Sequence, residues 1–267
     1  MNIAQNVMQK SKLNKPTLIG GLSICFKGGI NMNISGIHKT TLIDYPDEIA
    51  TTLFTQGCNF RCPYCHNSEL IKSPDNDSVF KAGDVINFLK QREDLIDGVV
   101  ITGGEPLIQN DIVTFLERIK EQVDLKVKID TNGSRPERLR RIIQRELVDF
   151  IAMDVKMPLE KYQIMLSDGE ISTTANRIKH SVDTIKESDI DYEFRTTVVP
   201  TFHTKYDIKL ITKNLINEAK KYVLQNYQAS DKVLNKEKMP ARTFPPQKLQ
   251  EFKGIAEKYI NKVIIRN

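Results

Sequence analysis

The 267-residue sequence has no tryptophan, only four cysteines, and no apolar run near the ~20 residues a membrane-spanning helix needs. Cysteines this few and this unevenly placed exclude a disulfide-stapled secreted scaffold. An excess of charge is also missing. Thirty-nine Lys and Arg against 34 Asp and Glu leave +5, too little over such a length to argue for nucleic acid or an anionic membrane as partner. There is no internal repeat and no low-complexity segment. What is present is a globular composition, 40% hydrophobic and 27% charged, which excludes disorder as the dominant state. A chain this long buries roughly three quarters of its unfolded surface, enough for one large α/β core or two small domains.

Residues 1–33 differ from the rest. Lys10, Lys12 and Lys15 precede a short apolar run, Thr17–Phe26, a loose outline of a signal peptide. Gly20, Gly21 and Ser23 interrupt the run, and no small-x-small cleavage site follows. The segment reads better as a poorly ordered N-terminal extension, or as residues upstream of an initiating Met32, before a core domain spanning 34–267. Cys25 stands alone here and reads as an incidental thiol.

From Asn33 onward, β-rich runs alternate with helical patterns. The strand candidates are Ile49–Thr55, Gly98–Thr102, Leu125–Asp130, Phe150–Asp154, Tyr192–Val199, Tyr222–Asn226 and Lys262–Ile265. Between them, apolar spacing near 3.6 predicts helices over Asn110–Gln122 (Asn110 as N-cap), Glu137–Leu147, Thr173–Glu187, Asp207–Ala219 and Pro246–Ile260. This rhythm predicts an α/β fold of βαβ units on a parallel sheet, a single-domain partial (β/α)6-type TIM-like barrel, with a doubly wound open sheet as the rival. The stretch Ala229–Phe244 reads as a mobile or partner-facing loop. The arginine-rich 135–145 helix reads as a solvated face.

Three cysteines fall within eight residues as Cys58-x-x-x-Cys62-x-x-Cys65, directly after the first predicted strand. Disulfides need pairs, and three close thiols plus one distant one fit them poorly. A closed zinc site needs a fourth ligand, for which only His66 or Cys25 offers itself. An iron–sulfur cluster held by three thiolates is the third reading, and it leaves one iron of a cubane open to another ligand. Thr102-Gly103-Gly104-Glu105-Pro106 ends the next strand, Asp130-Thr131-Asn132-Gly133 the next, and Met153-Asp154-Val155-Lys156 the one after. Arg195 lies inside a β-rich run, where an inward-facing guanidinium needs a partner. In an α/β barrel, such strand ends gather on one rim.

The cysteine spacing together with Gly103-Gly104-Glu105 resembles the radical S-adenosylmethionine superfamily. The resemblance implies a [4Fe-4S] cluster on Cys58, Cys62 and Cys65, with the open iron chelating S-adenosylmethionine and one-electron cleavage giving a 5′-deoxyadenosyl radical. Tyr64 then lies near the adenine, and Gly103, Gly104 and Glu105 hold the methionyl end. Cys65-His66-Asn67, Asp130-Thr131-Asn132-Gly133 and Asp154-x-Lys156 resemble the glycyl-radical-enzyme activating proteins. Thr41-Leu42-Ile43-Asp44-Tyr45-Pro46 and Gln56–Asn67 look most like the activating protein of anaerobic ribonucleoside-triphosphate reductase. By analogy with pyruvate formate-lyase activating enzymes, Asp130, Thr131 and Asp154 flank a monovalent cation, with Lys156 near the cofactor. His66 and Arg195 join the cofactor wall, and Gln228 stands where those enzymes have a histidine.

The implied protein is an oxidoreductase that abstracts a glycine α-hydrogen from a partner enzyme. It takes electrons singly from a donor such as flavodoxin or ferredoxin, in a reducing, anaerobic cytoplasm, with no nucleic acid or membrane involved. The rivals are a radical reaction on another glycyl-radical enzyme or on a small molecule, and a non-catalytic zinc-binding module.

Overall fold

The computed structural model describes residues 29–72, 80–166, 171–230 and 232–266. Cys25 and the apolar run before it lie outside the described residues. The chain builds one eight-stranded sheet in strictly sequential order. Its strands are β1 (Ile34–Thr41), β2 (Ala50–Thr55), β3 (Gly98–Gly103), β4 (Lys126–Thr131), β5 (Phe150–Asp154), β6 (Asp191–Val198), β7 (Tyr222–Asn226) and β8 (Val263–Arg266). Each neighbouring pair from β2 to β8 is parallel, and β1 runs antiparallel along β2. A doubly wound sheet reverses its strand order at a switch point, so sequential order decides for the barrel. β1 and β8 do not pair, which leaves the barrel open on one side.

Among the described residues, six α-helices flank the sheet: α1 (Ala82–Lys90), α2 (Ile112–Gln122), α3 (Pro136–Gln144), α4 (Ile171–Lys186), α5 (Lys205–Leu210) and α6 (Pro246–Ala256). Their apolar stripes explain the placement. Ile112, Phe115, Leu116 and Ile119 of α2, and Ile178, Val182 and Ile185 of α4, are buried against Val99, Ile101, Val127, Ile129, Ile151 and Met153 of the sheet. Each such side chain contributes roughly 1.5–3 kcal/mol by leaving water. Pro136 and Pro246 open their helices, where a missing N–H costs nothing. None of these helices is long and apolar enough to cross a membrane.

Several boundaries depart from the sequence pattern. Asp111, not Asn110, caps α2, and its carboxylate accepts from the Asn31 N–H at 2.7 Å. The helix foreseen over Asp207–Ala219 stays α-helical only to Leu210 and widens into a π turn over Ile211–Leu215. There the Thr212 hydroxyl bonds back to the Ile208 carbonyl at 2.8 Å, a side-chain competition that loosens a helix. β1 and α1 were not foreseen.

The two ends of the barrel differ. At the strand starts, Tyr45, Ala50, Val100 and Phe150 form a small apolar plug. At the strand ends, register sets Thr55 beside Gly103, Thr131 beside Met153, and Asp154 beside Arg195. That rim carries the polar residues.

Candidate active site

The cysteine loop leaves β2 through Gln56 and Gly57. Gly57 has φ +96° and Gly103 has φ +115°, both in the left-handed region that favours glycine. A Cβ on Gly104 would lie 2.0 Å from the Gly57 carbonyl oxygen. Without that side chain the two loops lock by backbone alone. Glu105 N–H donates to the Gly57 carbonyl (2.9 Å), Gly104 N–H to Thr55 (2.8 Å), and Gly57 N–H to Leu70 (2.7 Å).

This contact delivers Glu105 into the barrel at 1% exposure. Its Oε1 accepts from Leu107 N–H (3.0 Å) and the Thr131 hydroxyl (2.8 Å), and its Oε2 accepts from Asn132 N–H (2.6 Å). Burial pushes the carboxyl up to about 7, against the pull of those three donors.

Cys58, Cys62 and Cys65 are free thiols facing one cavity of about 250 Å³. Burial raises all three, Cys58 to about 11 and Cys62 to about 12, so in the bare chain they are protonated. No three His, Cys, Asp or Glu side chains among the described residues are gathered as for a single metal ion. The thiols therefore line a wall rather than close on a point. Arg61 stiffens the loop, donating to the carbonyls of Cys58 (2.7 Å) and Phe60 (2.9 Å). Tyr64 Oη and His66 Nδ1 are buried on this wall without a protein partner. Three soft sulfur donors beside orphaned polar atoms fit a thiolate-held iron–sulfur group with a polar ligand next to it.

Across the cavity, β4, β5 and β6 contribute an alternating ladder of charge. Lys128 ion-pairs with Asp130. Arg195 bridges Asp130 (Nη1, 3.3 Å) and Asp154 (Nε, 2.8 Å), and Lys156 Nζ meets the other Asp154 oxygen at 3.1 Å. Burial opposes charge on the two carboxyls, but Arg195 together with Lys156 at Asp154 and Lys128 at Asp130 outweighs it, holding Asp154 at about 2 and Asp130 below its ordinary value. The backbone of Lys156 is fixed on both sides: its N–H donates to Tyr162 Oη (3.1 Å), and its carbonyl lies 2.9 Å from His203 Nε2.

The structure thus brings thirteen of the fourteen residues singled out in the sequence to one cavity wall. Gln228 is the exception: it is exposed, outside the cavity, and its neighbour Tyr227 packs on His66 with ring centroids 5.8 Å apart. Within that wall, Asp130, Thr131 and Asp154 are already engaged by protein partners. Thr131 donates to Glu105, and Arg195 bridges the carboxylates of Asp130 and Asp154. Sequence reading passed over Thr102, whose hydroxyl donates to Asp130 at 3.1 Å, and the clamp residues Tyr162 and His203. The loop foreseen as mobile is tied down. Leu234 and Asn235 N–H groups donate to the Cys65 (3.1 Å) and Pro63 (3.0 Å) carbonyls, and the Ser68 hydroxyl to Lys232 (3.2 Å). Backbone bonds between distant segments leave no residue-type signature, which is why the pattern missed them.

A family model described as the Radical SAM superfamily matches residues 52–211. A Methanocaldococcus jannaschii protein, named among glycyl-radical enzyme activating enzymes, is 35% identical over 240 residues, covering 87% of this chain and 95% of its own. A second protein from that organism, named likewise, is 28% identical over 83% of this chain and 81% of its own. Among solved structures, Streptococcus suis SuiB bound to S-adenosylmethionine superposes with a TM-score of 0.56 at 18% identity, over 79% of this chain and 48% of that one. This chain spans about half of that structure and shares its fold.

Proposed function

From the premise that this chain belongs to the radical S-adenosylmethionine superfamily, we propose that it installs a glycyl radical on anaerobic ribonucleoside-triphosphate reductase. The observation that carries the reading is the single cavity shared by three free thiols, the Gly103-Gly104-Glu105 turn and the β4–β6 charge ladder.

Cys58, Cys62 and Cys65 would supply three ligands to a [4Fe-4S] cluster, with no fourth cysteine among the described residues. When bound, the cluster and S-adenosylmethionine supply the one-electron chemistry and the hydrogen abstraction. The chain's own residues bind, orient and keep out water. Glu105, pinned by Thr131, Leu107 and Asn132, presents a fixed acceptor to an ammonium group. Lys156 and Arg195 offer fixed donors to a carboxylate or ribose hydroxyls, and their pairing with Asp154 holds them in place before any ligand arrives. Phe60, Tyr64 and Ile71 make the apolar part of the wall, which limits access of water to a reactive species. No side chain is needed as general base, because a hydrogen atom rather than a proton leaves the glycine.

Anaerobic reconstitution tests the reading. Four irons and four sulfides per chain, 5′-deoxyadenosine on adding dithionite and S-adenosylmethionine, and a glycyl-radical electron-spin resonance on adding the reductase are the expected results. Cys62→Ala abolishes all three. Zinc without iron or sulfide sinks the proposal. A resonance on a different glycyl-radical enzyme, and none on the reductase, keeps the class and overturns the partner.

A further inference from the structure

A second cavity, of about 410 Å³, opens on the other side of the Asn132–Ser134 turn. Ser134, Arg135 and Arg138 at the start of α3, and Arg177 of α4, are among its walls. The three arginines are not alike. Arg138 is immobilised, donating from Nη1 to the carbonyls of Leu107 (2.7 Å) and Gln109 (2.8 Å). The guanidinium groups of Arg135 and Arg177 have no hydrogen bond or ion pair with any described residue. The acid in the recess, Glu137, is engaged on its outer side by Arg140 at 2.9 Å, with His180 3.9 Å away. Cationic groups this close repel one another, and the recess has a surplus of positive charge that an arriving anion would relieve. Besides burial, the charges of Arg177 and Arg138 act to lower Arg135, against the smaller opposing pull of Glu105.

The recess is also one hydrogen-bonded layer from the cysteine loop. Ser134 Oγ accepts from Asn59 Nδ2 at 2.8 Å, and Asn59 follows Cys58 directly. Asn132 Nδ2 reaches Asn59 Oδ1 at 3.1 Å and lies 4.0 Å from Cys58 Sγ. An anionic surface seated on the arginines would therefore stand one hydrogen-bonded layer from Cys58, at a cavity separate from the one the thiols face.

We propose that this recess docks the carboxylate-rich face of a one-electron donor protein, so that electrons reach the cluster through the Cys58 side. The proposal rests on the function given above. In each transfer the donor is oxidised by one electron and the cluster reduced by one, with no bond made or broken. Electron-transfer contacts are small, polar and salt-sensitive, as an arginine recess with a fixed floor requires.

The test uses the reconstituted full chain and an acidic flavodoxin as probe, with two readouts. One is the affinity for oxidised flavodoxin by calorimetric titration. The other is the rate of cluster bleaching by reduced flavodoxin divided by the rate with dithionite. In Arg135→Glu/Arg177→Glu, both the affinity and the ratio fall about tenfold or more, and the salt dependence of both flattens. Arg177→Glu alone, an exposed helix position, gives an intermediate loss if the double variant folds poorly. Arg141→Glu, elsewhere on α3, has little effect on either. Unchanged affinity and ratio in the arginine variants, or an equal loss from Arg141→Glu, overturns the docking site, as does a loss of affinity for the glycyl-radical partner instead of the donor. Failure of dithionite to yield 5′-deoxyadenosine refutes the function, while the affinity titration still reads the recess.

Discussion

Replacing Gly104 with alanine sets a methyl carbon 2.0 Å from the Gly57 carbonyl oxygen and 2.7 Å from its carbon. Real Cβ atoms essentially never approach within 3.0 Å, so the two loops must part by about 1.0 Å. The bonds from Glu105 N–H to Gly57 and from Gly104 N–H to Thr55, now 2.9 and 2.8 Å, would then stretch to near 4 Å and cease to be hydrogen bonds. Two lost bonds at about 1 kcal/mol each, plus about 1–3 kcal/mol for the forced displacement, give a loss of roughly 3–5 kcal/mol. That is a large part of the ~5–15 kcal/mol holding a typical domain. Urea unfolding of the bare chain, followed by far-ultraviolet circular dichroism, reads it directly. Iron bound per chain after reconstitution then falls with it, because the cysteine loop loses its inner support. The same substitution at Gly254 is the internal control. That glycine is exposed within α6 with nothing within 4 Å of an added Cβ, so alanine there stabilises by about 0.8–1 kcal/mol. A Gly104→Ala chain with the parent's urea midpoint, or a Gly254→Ala chain that loses stability, refutes this account of the loop contact.

Three further outcomes follow from the charges and clamps. Asp154 is depressed from 3.8 to about 2, so the stability it contributes is fully present above pH 4 and lost as pH falls through about 2; Asp154→Asn removes that part of the acid limb in a stability-against-pH series. Glu193 is 1% exposed and holds both Lys221 (2.7 Å) and Arg266 (3.2 Å). Glu193→Ala leaves two cations without their acid and costs about 3 kcal/mol by urea unfolding. His203 accepts from Val199 N–H at 3.0 Å and meets the Lys156 carbonyl, and burial lowers its proton affinity. In His203→Ala, stability falls by about 1–3 kcal/mol, and a denaturation series across pH 5–7 loses the drop that charging a buried imidazole causes in the parent.

What the sequence made legible follows from how locally each feature is encoded. The strands from β2 to β8 are short apolar runs between turn residues, and their ends carry motifs of fixed spacing. Cys58, Gly103, Asp130 and Asp154 could therefore be placed on one rim without coordinates. β1 was hidden because its Ile-Ser-Gly-Ile-His-Lys-Thr-Thr has little apolar periodicity and pairs along β2 with shifts of register. The partners of Glu105 were hidden for another reason: two of its three hydrogen bonds come from residues 26 and 27 positions later, one of them a main-chain N–H. Gln228 shows the hazard of carrying a position over on alignment alone. A single step along the chain there separates a buried ring on His66 from an exposed amide. The arginine-rich helix read as a solvated face. Arg140 fits that reading, but Arg138 turns inward to two carbonyls that its neighbours in sequence do not reveal.

The tie between the cysteine loop and the segment beyond β7 has a consequence in time. Ser68 and Lys232 stand 164 positions apart, so at synthesis rates of ~5–20 residues per second the second arrives roughly ten to thirty seconds after the first. Through that interval the three thiols are out of the ribosome while one side of their loop is still unbuilt. Until the late segment is made, the Pro63 and Cys65 carbonyls lack the N–H groups of Asn235 and Leu234 that hold them in the finished fold. The order in which the chain is made thus leaves this outer tie of the cysteine loop to form late.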